Sequence, residues 1–220
     1  MSEGRFLADG ERDRIIRATA ELCSAVGYEQ MTEVDIAARA AVSKASFAPY
    51  FGSKQAAAQA AIEAILAAVV EIMGRLFSPD RPEVESYLLG IGSILELMEE
   101  EPPFAYISYI SARQTMPPPL KDRLDSGSNL LAAMLDRLRD QSPQGRQPPR
   151  TARAALGGAE AVVRREIAFG GMEPLSRLVP DFIYAATVPF LGQREALRFA
   201  RQAEGRRRRD GQSPALRPSR

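Results

Sequence analysis

The chemistry open to this chain is bounded first by what it lacks: it has no His, and Cys23 is its only Cys. Without them it cannot build an imidazole acid–base pair, a structural zinc site or an internal disulfide. Its carboxylates, hydroxyls and single thiol show no nucleophile-with-base arrangement, so neither an enzyme nor a metal or other cofactor is expected. The residues that do fall at meaningful spacings are hydroxyls and cations. Thr32 stands three before Asp35, Ser43 stands beside Lys44, and Ser53 beside Lys54. A hydroxyl so placed caps a helix whose exposed amides can receive a phosphate oxygen. From Ile36 to Ile62 no acidic residue occurs, whereas Arg39, Lys44 and Lys54 do. That segment is locally cationic, which suits a nucleic-acid backbone.

The elements that must hold these residues are helices. Apolar residues recur at i, i+3, i+4 and i+7 in nearly every segment, and no segment sustains a period of two. Residues 12–26 carry Ile15, Thr19, Leu22 and Val26 on one stripe and end at Gly27. Thr32 and Asp35 form a capping box for a short helix over 33–40. Val42 and Phe47 staple a third helix capped by Ser43. A long, nearly buried helix is expected over 54–77, with a row of Ala61, Ile65, Ala68, Ile72 and Leu76 flanked by a second of Ile62, Leu66, Val69, Met73 and Phe77, and with only Gln59, Glu63, Glu71 and Arg75 polar. Further helices are expected over 83–100, 103–115, 119–140, 151–169, 175–188 and 193–204, with prolines between the runs. Residues 141–150 read as a flexible loop.

Length and charge fit this arrangement. The 220 residues are 45% hydrophobic and 26% charged, as in ordinary globular proteins. Their net charge of +1 conceals a segregation: residues 205–220 carry six Arg against Asp210, leaving residues 1–204 near −4. The start MSEGRFLADGERDR is polar and acidic, unlike a secretory signal. The apolar run 56–70 is broken by Gln59 and Glu63 and falls short of the ~20 residues a bilayer needs. No membrane contact and a cytoplasmic location are expected, and a single Cys agrees.

The stretch TEVDIAARAAVSKASFAPYFGSK (32–54), with the amphipathic helix before it and Gly27-Tyr28 between them, resembles the TetR family of bacterial transcription regulators. The resemblance rests on Thr32, IAARA, Val42-Ser43-Lys44, Phe47, Tyr50-Phe51 and Ser53-Lys54. It implies an all-α fold: a three-helix helix-turn-helix domain over 1–53 and a larger helical effector-binding and dimerisation domain over 54–204; the Arg-rich end over 205–220 reads as a disordered tail by composition. It further implies that Thr32, Tyr50 and Lys54 grip phosphates while Lys44, Ala45 and Ser46 face bases or their flanking phosphates. The amides near Ser43 add a phosphate site of their own. Three positions depart from the pattern. Ala41 replaces a turn Gly, Ala48 replaces an aromatic that holds the backbone, and Pro49 lies inside the recognition helix, which is expected to bend or end near residue 48.

The resemblance places an effector site among the helices over 83–140. Phe104, Tyr106, Tyr109, Arg113 and Met134 are its candidates, Gly90 and Gly92 make room, and a plain packed core gives the same stripe. Small residues over 151–169, facing Phe182, Ile183, Ala186 and Phe190, suit either a homodimer interface or the protomer's own core. The implied function is a homodimeric repressor that leaves a palindromic double-stranded DNA operator when a small molecule binds. Alternatives are a regulator switched by a protein partner, and a ligand-binding protein whose Ala48 and Pro49 have impaired operator recognition.

Overall fold

The computed structural model describes residues 7, 10–77, 80–111, 114–139, 142–145, 147–169 and 174–210, with backbone alone for 206–210. Nine α-helices and no strand occur among them. Helices α1 (Glu11–Ala25), α2 (Glu33–Arg39) and α3 (Lys44–Tyr50) form an N-terminal head, and α4 (Lys54–Leu76) leads out of it. The remainder is α5 (Glu83–Glu100), α6 (Pro102–Tyr106), α7 (Pro118–Asp136), α8 (Thr151–Phe169) and α9 (Val179–Asp210). A π-turn, Ile107–Ser111, continues α6.

The head is built from local signals that all agree. Gly27 adopts φ 84°, the left-handed conformation that stops α1 cheaply. Thr32, Ser43 and Ser53 each accept a backbone N–H from three residues on, so α2, α3 and α4 all start on a capping hydroxyl. Between α2 and α3 the chain reverses at Ala41, whose φ of 54° is the only positive value at a non-glycine position among the described residues. An L-residue there costs about 1 kcal/mol relative to glycine. Phe47 is buried against Phe51, with ring centroids 6.1 Å apart. On the α1 stripe Ile15 and Thr19 are buried and Leu22 half-buried, whereas Val26 has left it and is 45% exposed.

Pro49 does not end α3 early. The helix continues to Tyr50, and the Phe51 amide donates to the Phe47 carbonyl at 3.0 Å. Proline removes one donor, but in a seven-residue helix the turns on either side still close.

Helix α4 is less buried than its sequence suggests. Its inward row is Ala58, Ile62, Ile65, Val69 and Met73, drawn mainly from the second of the two expected rows, and Ala67 and Val70 face outward. By length and composition it is the only described helix apolar enough to cross a membrane. Here it packs against α1, α5 and α7. Gly90 of α5 does not open a cavity. A Cβ there would stand 2.2 Å from Met73 Sδ, so the glycine lets α5 approach α4.

Two features of the C-terminal half differ from expectation. Ser142, in the loop expected to be flexible, donates its hydroxyl to the Phe190 carbonyl at 2.6 Å. That carbonyl is released because α9 breaks at Gly192, φ 75° and ψ 166°. The second segment of α9 then runs through Arg206–Arg209 to Asp210, past the expected end of ordered chain at 204, and 211–220 lie outside the described residues. Phe182, Ile183, Ala186 and Phe190 are all buried in the protomer's own core. They cannot be the matching face of a dimer. One apolar cluster extends from Leu7 to Ala200, with α4 shared between the head and the rest.

Candidate nucleic-acid interface and ligand cavity

The first turn of α3 presents polar groups to solvent. Ser43 Oγ accepts the Ser46 amide at 2.9 Å and lies 3.0 Å from the Ser46 hydroxyl. Lys44, Ala45, Ala48 and Tyr50 are exposed on the outer face, while Phe47 points inward and fixes the helix's rotation. Lys44 makes no ion pair among the described residues, and its charge stays available for a phosphate or a base edge.

Around this face the tertiary structure alters three expectations. Lys54 does not extend toward solvent: its ammonium donates to the carbonyls of Tyr28 (3.1 Å), Glu29 (3.0 Å) and Met31 (3.1 Å) and sits 4.9 Å over the Tyr28 ring. All three N–H bonds are used within the protein. The side chain thereby clamps the α1–α2 turn. The amide end of α2 is likewise served already, since Asp35 accepts from the Thr32 amide (3.0 Å) and hydroxyl (2.6 Å). Those bonds hold the Asp35 carboxyl below its ordinary pKa. The acid-free stretch of sequence is also not acid-free in space. Helix α1 brings Glu21 to pair with Arg39, and Glu11 accepts from the Tyr50 hydroxyl at 3.3 Å.

Cys23 is fully buried with Met31 Sδ 3.6 Å from its sulfur, and burial pushes its thiol up to about 12. Thiolate chemistry is closed to it.

A second site lies some distance along α4. A cavity of about 70 Å³, partly open to the surface, is lined by Ile65, Leu66 and Val69 of α4, Ile94 and Met98 of α5, Ser108 and Tyr109 of the π-turn, Leu124, Gly127, Ser128 and Leu131 of α7, and Glu160 of α8. That is room for a few waters. Of the effector residues expected from the sequence, Tyr109 lines it. Phe104 is wholly buried in the core beside it, Tyr106 and Met134 lie outside its lining, and Arg113 falls outside the described residues.

The residue that sequence reasoning missed is Glu160. It is 6% exposed on α8, and its carboxylate accepts the Ser128 hydroxyl at 2.8 Å. Burial, reinforced by this carboxylate, raises the phenols of Tyr87 and Tyr109 far above their ordinary pKa. The available signal was a Glu on the buried i, i+3, i+4 face of Leu156, Ala159 and Val163, where charge is rare.

Residues 15–61, spanning most of the head and the first turns of α4, match the model for bacterial regulatory proteins of the tetR family. Over these residues the chain is similar to the DNA-binding part of the TetR family. Comparison with curated protein sequences gives no match. The whole fold is similar to solved structures of low identity. The fatty acid degradation regulator FadR of Bacillus halodurans shares 16% identity at TM-score 0.68, over 84% of this chain and 96% of that one. FadR of Bacillus subtilis, in complex with stearoyl-CoA, shares 18% at 0.66, over 81% and 97%. A gamma-butyrolactone receptor described as ArpA-like shares 17% at 0.69, over 89% and 97%. The head is bolted to the remainder by Arg17 of α1, which donates to both oxygens of Glu101 between α5 and α6 (2.6 and 3.2 Å). A fork-to-carboxylate pair of this kind fixes angle as well as distance.

Proposed function

We propose that this transcription regulator is a cytoplasmic, homodimeric repressor that binds a palindromic DNA operator through α3 and releases it when a small molecule occupies the cavity. The supporting observation is that one rigid helix serves both sites. Lys54, the first residue of α4, clamps the turn that carries α2, while Ile65, Leu66 and Val69, roughly 16 to 22 Å along it at 1.5 Å per residue, line the cavity. An occupant that displaces the middle of α4 moves the head with it. The π-turn offers a second route, since Tyr109 lines the cavity and Ile107–Ser111 packs on α1. Ligand and operator then compete for two arrangements of one protein, and each must weaken the other by the same factor.

In this reading Ser43, Lys44, Ala45 and Ser46 meet the major groove, with Thr32 and Tyr50 at its edge. The dimer forms through the outward faces of α8 and α9. On α8 this face includes Ala154, Gly158 and Val162, exposed in the protomer, and a Cβ added to Gly158 would meet nothing within 4 Å. Two recognition helices about 34 Å apart then read successive turns of B-DNA. The cavity as it stands is smaller than a usual ligand site, which favours a second reading in which a protein partner moves the head instead.

Selection of bound duplexes from random sequence, followed by a salt titration, tests the operator reading. Lys44→Ala is expected to leave stability unchanged and to flatten the slope of log K against log salt by about one. Equal affinity for selected and random duplexes at physiological salt would rule out operator recognition.

A further inference from the structure

We infer that Glu160 makes the cavity selective for ligands bearing a cationic or strongly hydrogen-bond-donating head on an apolar body, such as a hydrophobic primary amine, rather than for acids. This rests on the effector reading above and assigns it a ligand class. The lining of the cavity is aliphatic apart from Ser108, Tyr109, Ser128 and Glu160. Ser108 spends its hydroxyl on the Phe104 carbonyl at 2.8 Å, and Ser128 spends its own on Glu160. The carboxylate is therefore the site's dominant polar group. A carboxylate offers about four lone-pair positions, and among the described residues only one is met by a donor and no cationic side chain pairs with it. Two phenols lie within electrostatic reach of Glu160, one in the wall and one in the core behind it. The Tyr87 hydroxyl is buried without a hydrogen-bond partner among the described residues, and Tyr109 lines the cavity wall.

Burying a carboxylate this way is unfavourable unless a donor or counter-charge completes it. An ammonium group entering beside Ser128 supplies both, and Ile65, Leu66, Val69 and Met98 receive the apolar body. An acid meets the opposite: a second carboxylate next to Glu160 must be protonated or repelled. Selectivity by unsatisfied buried polar groups is sharp because the wrong ligand leaves them unpaired.

The test uses three ligands of one skeleton, 4-phenylbutylamine, 4-phenylbutan-1-ol and 4-phenylbutanoate, titrated calorimetrically into the full-length wild type, Glu160→Gln and Ser128→Ala, with operator release followed in parallel. In wild type the amine is expected to bind at least about tenfold tighter than the acid. Glu160→Gln should lower amine affinity by about tenfold or more while the alcohol changes less than about twofold. Ser128→Ala, which leaves the carboxylate free of its internal donor, should keep or strengthen amine binding. Equal or tighter binding of the acid to wild type overturns the proposal and leaves the effector reading standing. A parallel loss of all three ligands in Glu160→Gln shows a merely structural glutamate and also overturns it. Binding of none of them to folded, DNA-binding protein sinks the effector cavity together with this assignment.

Discussion

The reading head and the cavity are built by opposite strategies, although α4 belongs to both. In the head the helix starts and the turn are set by neighbours a few residues away: Ser43 by Ser46, Thr32 by Asp35, the α2–α3 turn by Ala41. In the cavity, Ile65, Ile94, Tyr109, Ser128 and Glu160 come from five separate segments and meet only through packing. Local hydrogen bonds specify the first; long-range burial specifies the second. The contrast teaches where tolerance lies. A local device fails when its own residues change, while a packed cavity can be filled, emptied or repainted with the fold intact.

The sharpest way to break this contrast is Lys54→Met, because Lys54 closes onto three carbonyls that lie over twenty positions away in the chain. Loss of its three charge-assisted hydrogen bonds is expected to cost about 2 kcal/mol, read by chemical denaturation. Operator affinity should fall with it, while the salt slope stays unchanged, since no phosphate contact is removed. A flattened slope with unaltered stability would instead restore Lys54 as a phosphate grip.

Filling the cavity gives a smaller effect. In Gly127→Ala the new Cβ would stand 2.5 Å from Leu66 Cδ2, a flexible side-chain end that can swing into the empty volume. The helix gains up to about 1 kcal/mol of propensity and loses a comparable amount to crowding, so net stability should move by less than about 1 kcal/mol. Ligand affinity should drop while operator affinity persists. Loss of operator binding as well would show that the two sites are not separable in the way the comparison implies.

The smallest change sharpens the local side of the contrast. Ala41→Gly relieves a left-handed alanine and is expected to raise stability by up to about 1 kcal/mol with operator affinity unchanged. A decrease in stability would show that the entropy lost with glycine outweighs the relieved strain at this turn.

Much of the head could be read in advance because capping and stapling are sequence-local: the starts of α2, α3 and α4 fall where Thr32, Ser43 and Ser53 put them. Helices α5 and α8 were equally legible, bounded by Pro82 before one and Pro148-Pro149 before the other, and each keeps the expected limits. The effector residues were far less so. Phe104 and Tyr109 share a short stretch of chain, yet one is sealed in the core and the other faces the cavity, because a π-turn intervenes and shifts the helical register.

By itself the sequence determined the helical class, the helix-turn-helix and its caps, and the exclusion of histidine, zinc and disulfide chemistry, all of which follow from residue identity, periodicity and short spacing. Only the tertiary structure decided that Lys54 turns back onto three carbonyls, that α1 returns Glu11 and Glu21 to a stretch with no acid of its own, and that Glu160 stands beside an apolar cavity. The physical reason is that charge and burial act through space. Residues dozens of positions apart in the chain share one dielectric environment once helices pack, and no local pattern records which of them will meet.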